Sequence, residues 1–194
     1  MNGTVKLCHD LVLLAARNLL PAAELDGSRL TMARRLAPRD DYEQQAAELY
    51  LAVTGLIGDD DERRTASALL HRAGRRAART TNYPAAEELL SAADRVLATV
   101  DDAAARDAIA VDRHAALYCL GRHAEADQVY RDLVARFPDP LVLAAATAVQ
   151  INNLTQRDEC RAAIALGLDT LRRFRHHPAG RPGRGQPARR GRAP

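Results

Sequence analysis

Near the start of the chain, three consecutive residues carry side chains that could do chemistry. Cys8, His9 and Asp10 supply a thiol, an imidazole and a carboxylate. The surrounding pattern predicts a helix, and consecutive helical residues point about 100° apart, so these groups diverge. A catalytic Cys–His pair needs hydrogen-bond contact, usually between distant segments. We therefore predict no catalytic residue here, and no enzyme.

The chain also lacks the residue patterns of a nucleotide or metal site. There is no G-x-x-x-x-G-K-[ST] loop, and Lys6, the only lysine, has no glycine-rich approach. The histidines His71, His114 and His123 make no recognised metal-ligand spacing. We interpret them as partly buried or surface side chains and predict no metal and no cofactor.

A basic stripe and a basic tail could hold an anionic partner. The stripe comprises Arg63, Arg64, Arg72, Arg75, Arg76 and Arg79. Arginines at helical spacing can bind phosphate or an acidic peptide, or they form a solvated face balanced by Asp59–Glu62 and Glu87–Glu88. Residues 175–194 hold six arginines and no acid. Charge alone can bring such a tail to nucleic acid, although it lacks aromatics for base stacking. A nucleic-acid-binding transcriptional regulator with weak affinity therefore stays open as the alternative function.

The elements that must position these side chains repeat along the chain. Apolar and small residues recur at steps of three and four, which places them on one face of a helix. The first copy is Leu70, Ala73, Gly74, Ala77, then Tyr83, Ala86, Leu90 and Ala93, with a turn at Thr80–Asn82 and Pro84 at the next helix start. The second is Leu117, Leu120, Gly121, then His123, Ala126, Tyr130 and Leu133, closed by Pro138. The third is Leu154, Cys160, Ala163, Gly167 and Thr170. The intervals Ala86 to Ala126 and Ala126 to Ala163 favour a helical-hairpin array, with a generic Ala/Leu-rich bundle as the alternative.

The whole chain reads as helices followed by a tail. We predict helices over Thr4–Leu20, Ser28–Leu36 with Ser28 as N-cap, Asp41–Ile57, Glu62–Thr80, Tyr83–Val100, 101–120, Ala124–Phe137, Asp139–Leu154 and Arg157–Phe174. Proline and glycine dominate after His177, which predicts disorder. The expected domains are 1–58, an N-terminal helical extension that is a winged-helix remnant or a degenerate repeat, 59–174, the helical repeats, and 175–194, a disordered basic tail.

Composition supports an all-α fold. Hydrophobic residues make up 47% of the chain but aromatics only 4%, and strand-type alternation is missing. The three cysteines are odd in number and widely spaced, which predicts reduced thiols and a cytoplasmic location. No apolar run is long enough to span a bilayer, so we predict no membrane association.

The repeat resembles the tetratricopeptide (TPR) repeat. The matching positions are Gly74, Ala86, Ala93, Gly121, Ala126 and Pro138. This resemblance implies antiparallel helical hairpins stacked as a solenoid, whose first helices form a concave surface that binds a protein or peptide. By the same alignment, the residues facing that groove would be His71, Arg75, Tyr118, Asn152 and Gln156.

A second resemblance concerns the context of the repeat. Leu7–Val12, followed by Ala15-Ala16 and Leu19-Leu20, resembles a segment of STAND-type signalling ATPases that lies after the nucleotide-binding module. The remaining helices, with Ala47–Tyr50 and Ala163–Leu168, resemble the TPR arrays that follow such modules in bacterial kinases and transcriptional regulators. His9 would inherit a nucleotide-sensing role only with an ATPase module present. We therefore expect a non-catalytic regulatory module of a signalling protein, in a fragment that lacks the nucleotide-binding domain.

Overall fold

The computed structural model describes residues 21–136 and 140–176, and within them the protein is all-α. Eight α-helices and two short 3-10 turns form this part of the chain, and no strand is present in it. The helices are α1 (Ala22–Leu36), α2 (Glu43–Ala52), α3 (Asp60–Arg79), α4 (Tyr83–Val96), α5 (Ala103–Cys119), α6 (His123–Arg136), α7 (Pro140–Gln156) and α8 (Cys160–His176). The predicted helix Thr4–Leu20 and the tail from residue 177 onward lie outside the described residues.

The chain divides into two compact units, one ending at Arg136 and the other beginning at Phe137. In the first unit each helix from α1 to α6 packs against the next, and α3 also contacts α5. In the second unit α7 packs against α8. The buried core of the first unit runs from Leu30 to Ala116 and is built largely of alanine and leucine.

Polar side chains start three of the helices. Asp59, Asn82 and Asp102 precede α3, α4 and α5, and each accepts a hydrogen bond from the backbone N–H three residues on, at 2.9, 3.4 and 3.1 Å. Such bonds satisfy amides that have no partner within the helix. Pro84 lies in the first turn of α4, where its missing N–H costs nothing. The predicted starts of these helices are confirmed to within two residues.

The predictions for α1 and α2 were less accurate. Ser28 does not cap a helix, because α1 already begins at Ala22, directly after Pro21. The Pro21 carbonyl accepts the first bonds of this helix, from the backbone N–H groups of Glu24 and Leu25 at 3.0 and 3.1 Å. Helix α2 ends at Ala52 because Val53 leaves the helical backbone region, with φ of −131°.

The three hairpins α3–α4, α5–α6 and α7–α8 share one turn geometry. Each has a single residue with left-handed backbone: Thr81, Gly121 and Asp158, with φ of 60°, 70° and 59°. The N–H of that residue bonds to the carbonyl three residues earlier at 3.0–3.1 Å. The next N–H bonds to the carbonyl five residues earlier, at 2.9–3.0 Å. This pair of bonds is a Schellman ending, repeated at the intervals read from the sequence.

The alanines that set the repeat register occupy equivalent places. Ala86, Ala126 and Ala163 are buried near the start of the second helix of each hairpin. Each donates its backbone N–H to the carbonyl four residues earlier, at 3.0 Å. The spacing of these alanines in the sequence therefore reports a repeated local structure.

The same register aligns one contact between the two helices of each hairpin. The contacting pairs are Gly74 with Leu90, His114 with Tyr130, and Ile151 with Gly167. In the first and third pairs a glycine faces a large aliphatic side chain, and in the second two rings lie 5.6 Å apart. The size of the contacting side chains differs from one hairpin to the next, but the contact lies at the same position in each hairpin.

One ionic cluster joins the first three helices. Glu62 of α3 accepts hydrogen bonds from Arg34 Nε and Nη2 of α1, at 2.7 and 2.8 Å, and from the Tyr50 hydroxyl of α2 at 3.3 Å. The hydrogen bonds from Arg34 lower the pKa of Glu62. Burial, with a smaller effect of the Glu62 charge, raises the pKa of Tyr50 to about 12.

Candidate partner-binding surface on α3 and α5

Two of the predicted groove residues meet a carboxylate that the sequence did not single out. His71 Nε2 lies 2.6 Å from Asp112 Oδ2, and Arg75 Nε lies 3.6 Å from the same oxygen. His71 and Arg75 are one turn apart on α3, whereas Asp112 belongs to α5. The first helices of two neighbouring hairpins are thus joined by a cluster of His71, Arg75 and Asp112, which we call the His–Arg–Asp cluster.

The packing of α3 explains where these side chains point. Leu70, Ala73 and Gly74 are buried against the core, and His71 and Arg75 each follow directly in the chain after one of these residues. A helix turns about 100° per residue, so their side chains leave α3 at the margin of its buried face. Because α3 contacts α5 directly, that margin faces Asp112.

The exposure of the three side chains differs and so does what each can do. His71 is 17% exposed and Asp112 is 36% exposed, whereas Arg75 is 59% exposed. At 3.6 Å the Arg75 Nε is too far from Asp112 for a good hydrogen bond. A guanidinium has five N–H donors in a planar fork, so Arg75 can still bind an incoming carboxylate. The described hydrogen-bond partner of the His71 ring is the Asp112 carboxylate.

Further along α5 the same side of the helix carries Cys119. It follows Asp112 by seven residues, which places the two on one side of the helix. Cys119 is a free, exposed thiol, and its side-chain hydrogen bond with Tyr83 raises the pKa of Tyr83. The side of α5 that carries Asp112 therefore also carries the Cys119 thiol, which lies beside Tyr83 at the start of α4.

The structure does not bring the other predicted site residues into this cluster. Tyr118 is half-buried and lies about 120° around α5 from Asp112. Asn152 and Gln156 are exposed on α7, in the second compact unit. His9 lies outside the described residues.

Most arginines of the basic stripe are already engaged within the protein. Glu43 of α2 lies 3.2 Å from Arg72 and 3.5 Å from Arg76. Arg64 pairs with Asp61 at 2.8 Å, as the local acidic turn predicted. Arg63 Nη1 approaches the Val96 carbonyl at 3.4 Å.

The prediction that Glu87–Glu88 balance the stripe was wrong for Glu87. This carboxylate instead binds Arg113 at 3.2 Å and Arg122 at 3.0 Å, both in the next hairpin. Helix α4 packs on α5, and Glu87 lies on the face that meets Arg113 of that helix. An ion pair between two helices depends on which of their faces meet. The order of charged residues along one helix does not determine which faces meet.

Sequence reasoning missed Asp112 and Glu43, the two acids that organise the surface of α3. A signal for Asp112 exists in the repeat register. Shifting by the interval from Ala86 to Ala126 places Asp112 opposite Arg72, one position from His71. When the first helices of two neighbouring hairpins carry opposite charges at nearly equivalent repeat positions, an ion pair between those helices is indicated.

No protein-family model, curated protein sequence or solved structure matches the chain. Over residues 21–136 and 140–176, no three His, Cys, Asp or Glu side chains are grouped so as to hold a metal ion. In the same part of the chain, every helix is too short or too polar to cross a membrane.

Proposed function

We propose that the protein is a TPR-like helical-repeat module that binds a protein or peptide partner and does not act as an enzyme. The observation that supports this proposal most directly is the shared geometry of three hairpins, with the same turn, the same buried alanine and an interhelix contact at the same position. Arrays of such hairpins use the surface of their first helices for binding.

The proposed binding surface is the α3–α5 face around the His–Arg–Asp cluster. Arg75 supplies an exposed guanidinium, and Asp112 holds His71 and part of the Arg75 side chain in place. A partner that presents a carboxylate next to a hydrogen-bond acceptor would match these groups. The expected partner is therefore an acidic peptide segment or a chain terminus.

The resemblance to STAND-type proteins suggests the setting of this module. There it would be a regulatory part of a cytoplasmic bacterial signalling ATPase or kinase-type regulator, acting with a nucleotide-binding module on a separate segment. Inspection of the neighbouring coding region for a phosphate loop tests this setting. Absence of such a loop would contradict the proposed association with an ATPase. It would not affect the proposed binding role, which the charge reversals below test separately.

The binding role is tested with matched charge reversals. Arg75→Glu changes the proposed surface, whereas Arg95→Glu makes the same change on the exposed side of α4. Each chain is crosslinked to its bound partners, and the partners captured by each are compared. We expect the wild type and Arg95→Glu to capture the same partners and Arg75→Glu to capture none of them. Equal capture by all three chains, or substrate turnover by the purified protein, would sink the proposal.

Nucleic-acid binding has less support than peptide binding. Four of the six stripe arginines lie against acidic or carbonyl oxygens of the protein, at 2.8–3.5 Å, which leaves Arg75 of the proposed surface and Arg79. Arginines engaged in this way give up existing contacts to bind phosphate. The basic tail, the other part of that alternative, lies outside the described residues from position 177.

A further inference from the structure

Helix α8 exposes a continuous apolar stripe. Ile164, Leu168 and Leu171 are 63%, 49% and 61% exposed, and their spacing of four and three places them on one face. The other exposed large apolar side chains among the described residues are Met32, Tyr42 and Leu56. Single exposed side chains need no explanation, but a stripe of three on one helix marks an interaction site.

The repeat register identifies what the α8 stripe corresponds to elsewhere in the fold. Aligning Ala163 with Ala86 places the stripe on the positions of Glu87, Ser91 and Asp94 of α4. That face of α4 is covered by a helix. Helix α5 packs there and contributes arginines that lie 3.2 Å from Glu87 and 3.8 Å from Asp94.

The α8 stripe therefore occupies the position at which a hairpin of this type receives another helix. The chemistry of the position has changed between the two hairpins. On α4 it carries Glu87 and Asp94, which receive arginines of α5, whereas on α8 it is apolar. A helix that fits α8 must offer an apolar face.

The charges around the stripe define the partner further. Arg161, Arg172 and Arg175 are exposed and lie within about 80° of Ile164 around the helix. None of these three makes an ion pair with a described residue. The single acid of α8, Asp169, lies on another side and pairs with Arg173 at 2.8 Å. The charges that border the stripe are therefore all positive, and they lie along one side of it.

We propose that the α8 stripe, Ile164, Leu168 and Leu171, docks an amphipathic helix of a partner protein that carries a leucine-rich face flanked by Asp and Glu. A second α8 would bring three more arginines against those already there. The chain's own segment 1–20 has Lys6 and Arg17 against one acid, Asp10, so it lacks the acidic flanks. This docking surface rests on the repeat register and does not depend on the α3–α5 binding role.

The test measures binding of a synthetic helical peptide to the full chain by fluorescence anisotropy. The peptide has about 18 residues, or five turns, with leucine on one face and glutamate on both flanks. We expect saturable binding, weakened at least about tenfold by Leu168→Asp. The double variant Arg161→Glu with Arg172→Glu should lose this peptide and bind a matched peptide whose glutamates are replaced by lysine.

Two substitutions serve as controls, since all the altered side chains are exposed and the variants should keep wild-type helicity by circular dichroism. Met32→Asp places the same kind of change on an exposed apolar residue of α1, and Arg75→Ala alters only the α3–α5 surface. Neither should change the affinity for the peptide.

Four outcomes would overturn the proposal. The peptide does not bind, or the glutamate and lysine peptides bind the wild type equally. Light scattering shows a dimer that Leu168→Asp dissociates, which would make a second copy the occupant. Deletion of residues 1–20 raises peptide affinity about tenfold or more, which would make that segment the occupant.

Discussion

Glu62 of α3 accepts hydrogen bonds from side chains of two other helices. Its two carboxylate oxygens receive Arg34 and Tyr50, so three helices meet at one charge. Arg34 is about half exposed, and water and salt screen its attraction for Glu62. The contribution of this cluster to stability is therefore modest at neutral pH, but its pH dependence has a definite sign.

Replacing Glu62 by Gln should destabilise the fold at pH 7 and change how stability responds to acid. The folded pKa of Glu62 lies below its usual value because Arg34 donates to it. The stabilisation is therefore present above the unfolded pKa of about 4.3 and is lost as pH falls through the folded pKa. Thermal melts of wild type and variant should differ at pH 7, and the difference should shrink as pH falls below about 4.3.

The control for this prediction is Glu88→Gln, which removes an exposed carboxylate without an ion pair to a described residue. Its melting temperature should follow that of the wild type at every pH. A Glu62→Gln difference that stays constant down to pH 3 would contradict an ionic origin, because the ion pair is absent when Glu62 is protonated.

At the scale of helices, α3 and α4 come close together at Gly74. A Cβ atom added at Gly74 would lie 2.8 Å from Leu90 Cγ and 3.3 Å from the Ala86 carbonyl oxygen. Leu90 is fully buried, and its Cγ is a branch point that cannot swing away as a chain end would. Glycine at position 74 therefore sets the distance between the two helices.

Gly74→Ala should destabilise the protein by about 1–2 kcal/mol. An added Cβ only 2.8 Å from Leu90 Cγ places the overpacking cost in the upper part of its range of about 1–3 kcal/mol, and better helix propensity offsets about 1 kcal/mol of it. Gly27→Ala is the matched control, because Gly27 also lies within a helix but has no atom within 4 Å of an added Cβ. That variant should gain about 0.5–1 kcal/mol. Urea unfolding of both variants measures the difference, and two shifts of the same sign would contradict the packing explanation.

Features that depend on neighbours in the sequence were predicted well. The starts of α3 and α5 lie within two residues of their predicted positions, since the caps Asp59 and Asp102 each bond to an amide three residues away. The alanine register was also readable, because each hairpin repeats one local turn. The prediction of Ser28 as an N-cap was wrong because the residues before it are already helical, and a serine caps a helix only where the helix begins. Asp112 was missed because its pairing with α3 becomes visible only when the two hairpins are aligned by the repeat interval, and the helical periodicity of α5 by itself does not report it.

At the scale of the whole molecule, the distribution of buried residues distinguishes the two units. The core from Leu30 to Ala116 lies entirely in the unit that ends at Arg136. Helix α6 adds Ala126, Tyr130 and Leu133 to the buried set. The described part of the second unit is a single hairpin, and one hairpin buries too little surface to be stable alone.

A chain that ends after Arg136 should therefore keep its helical circular dichroism and a cooperative thermal transition. A chain that ends after Cys119 is the matched comparison, because it loses α6 and leaves His114 and Leu117 of α5 without their covering helix. We expect the shorter chain to melt over a broader range and at a lower temperature. The isolated segment 137–194 should show weak helicity that increases with peptide concentration. A gradual transition for residues 1–136, beside a sharp one for the full chain, would mean that the first unit does not fold independently.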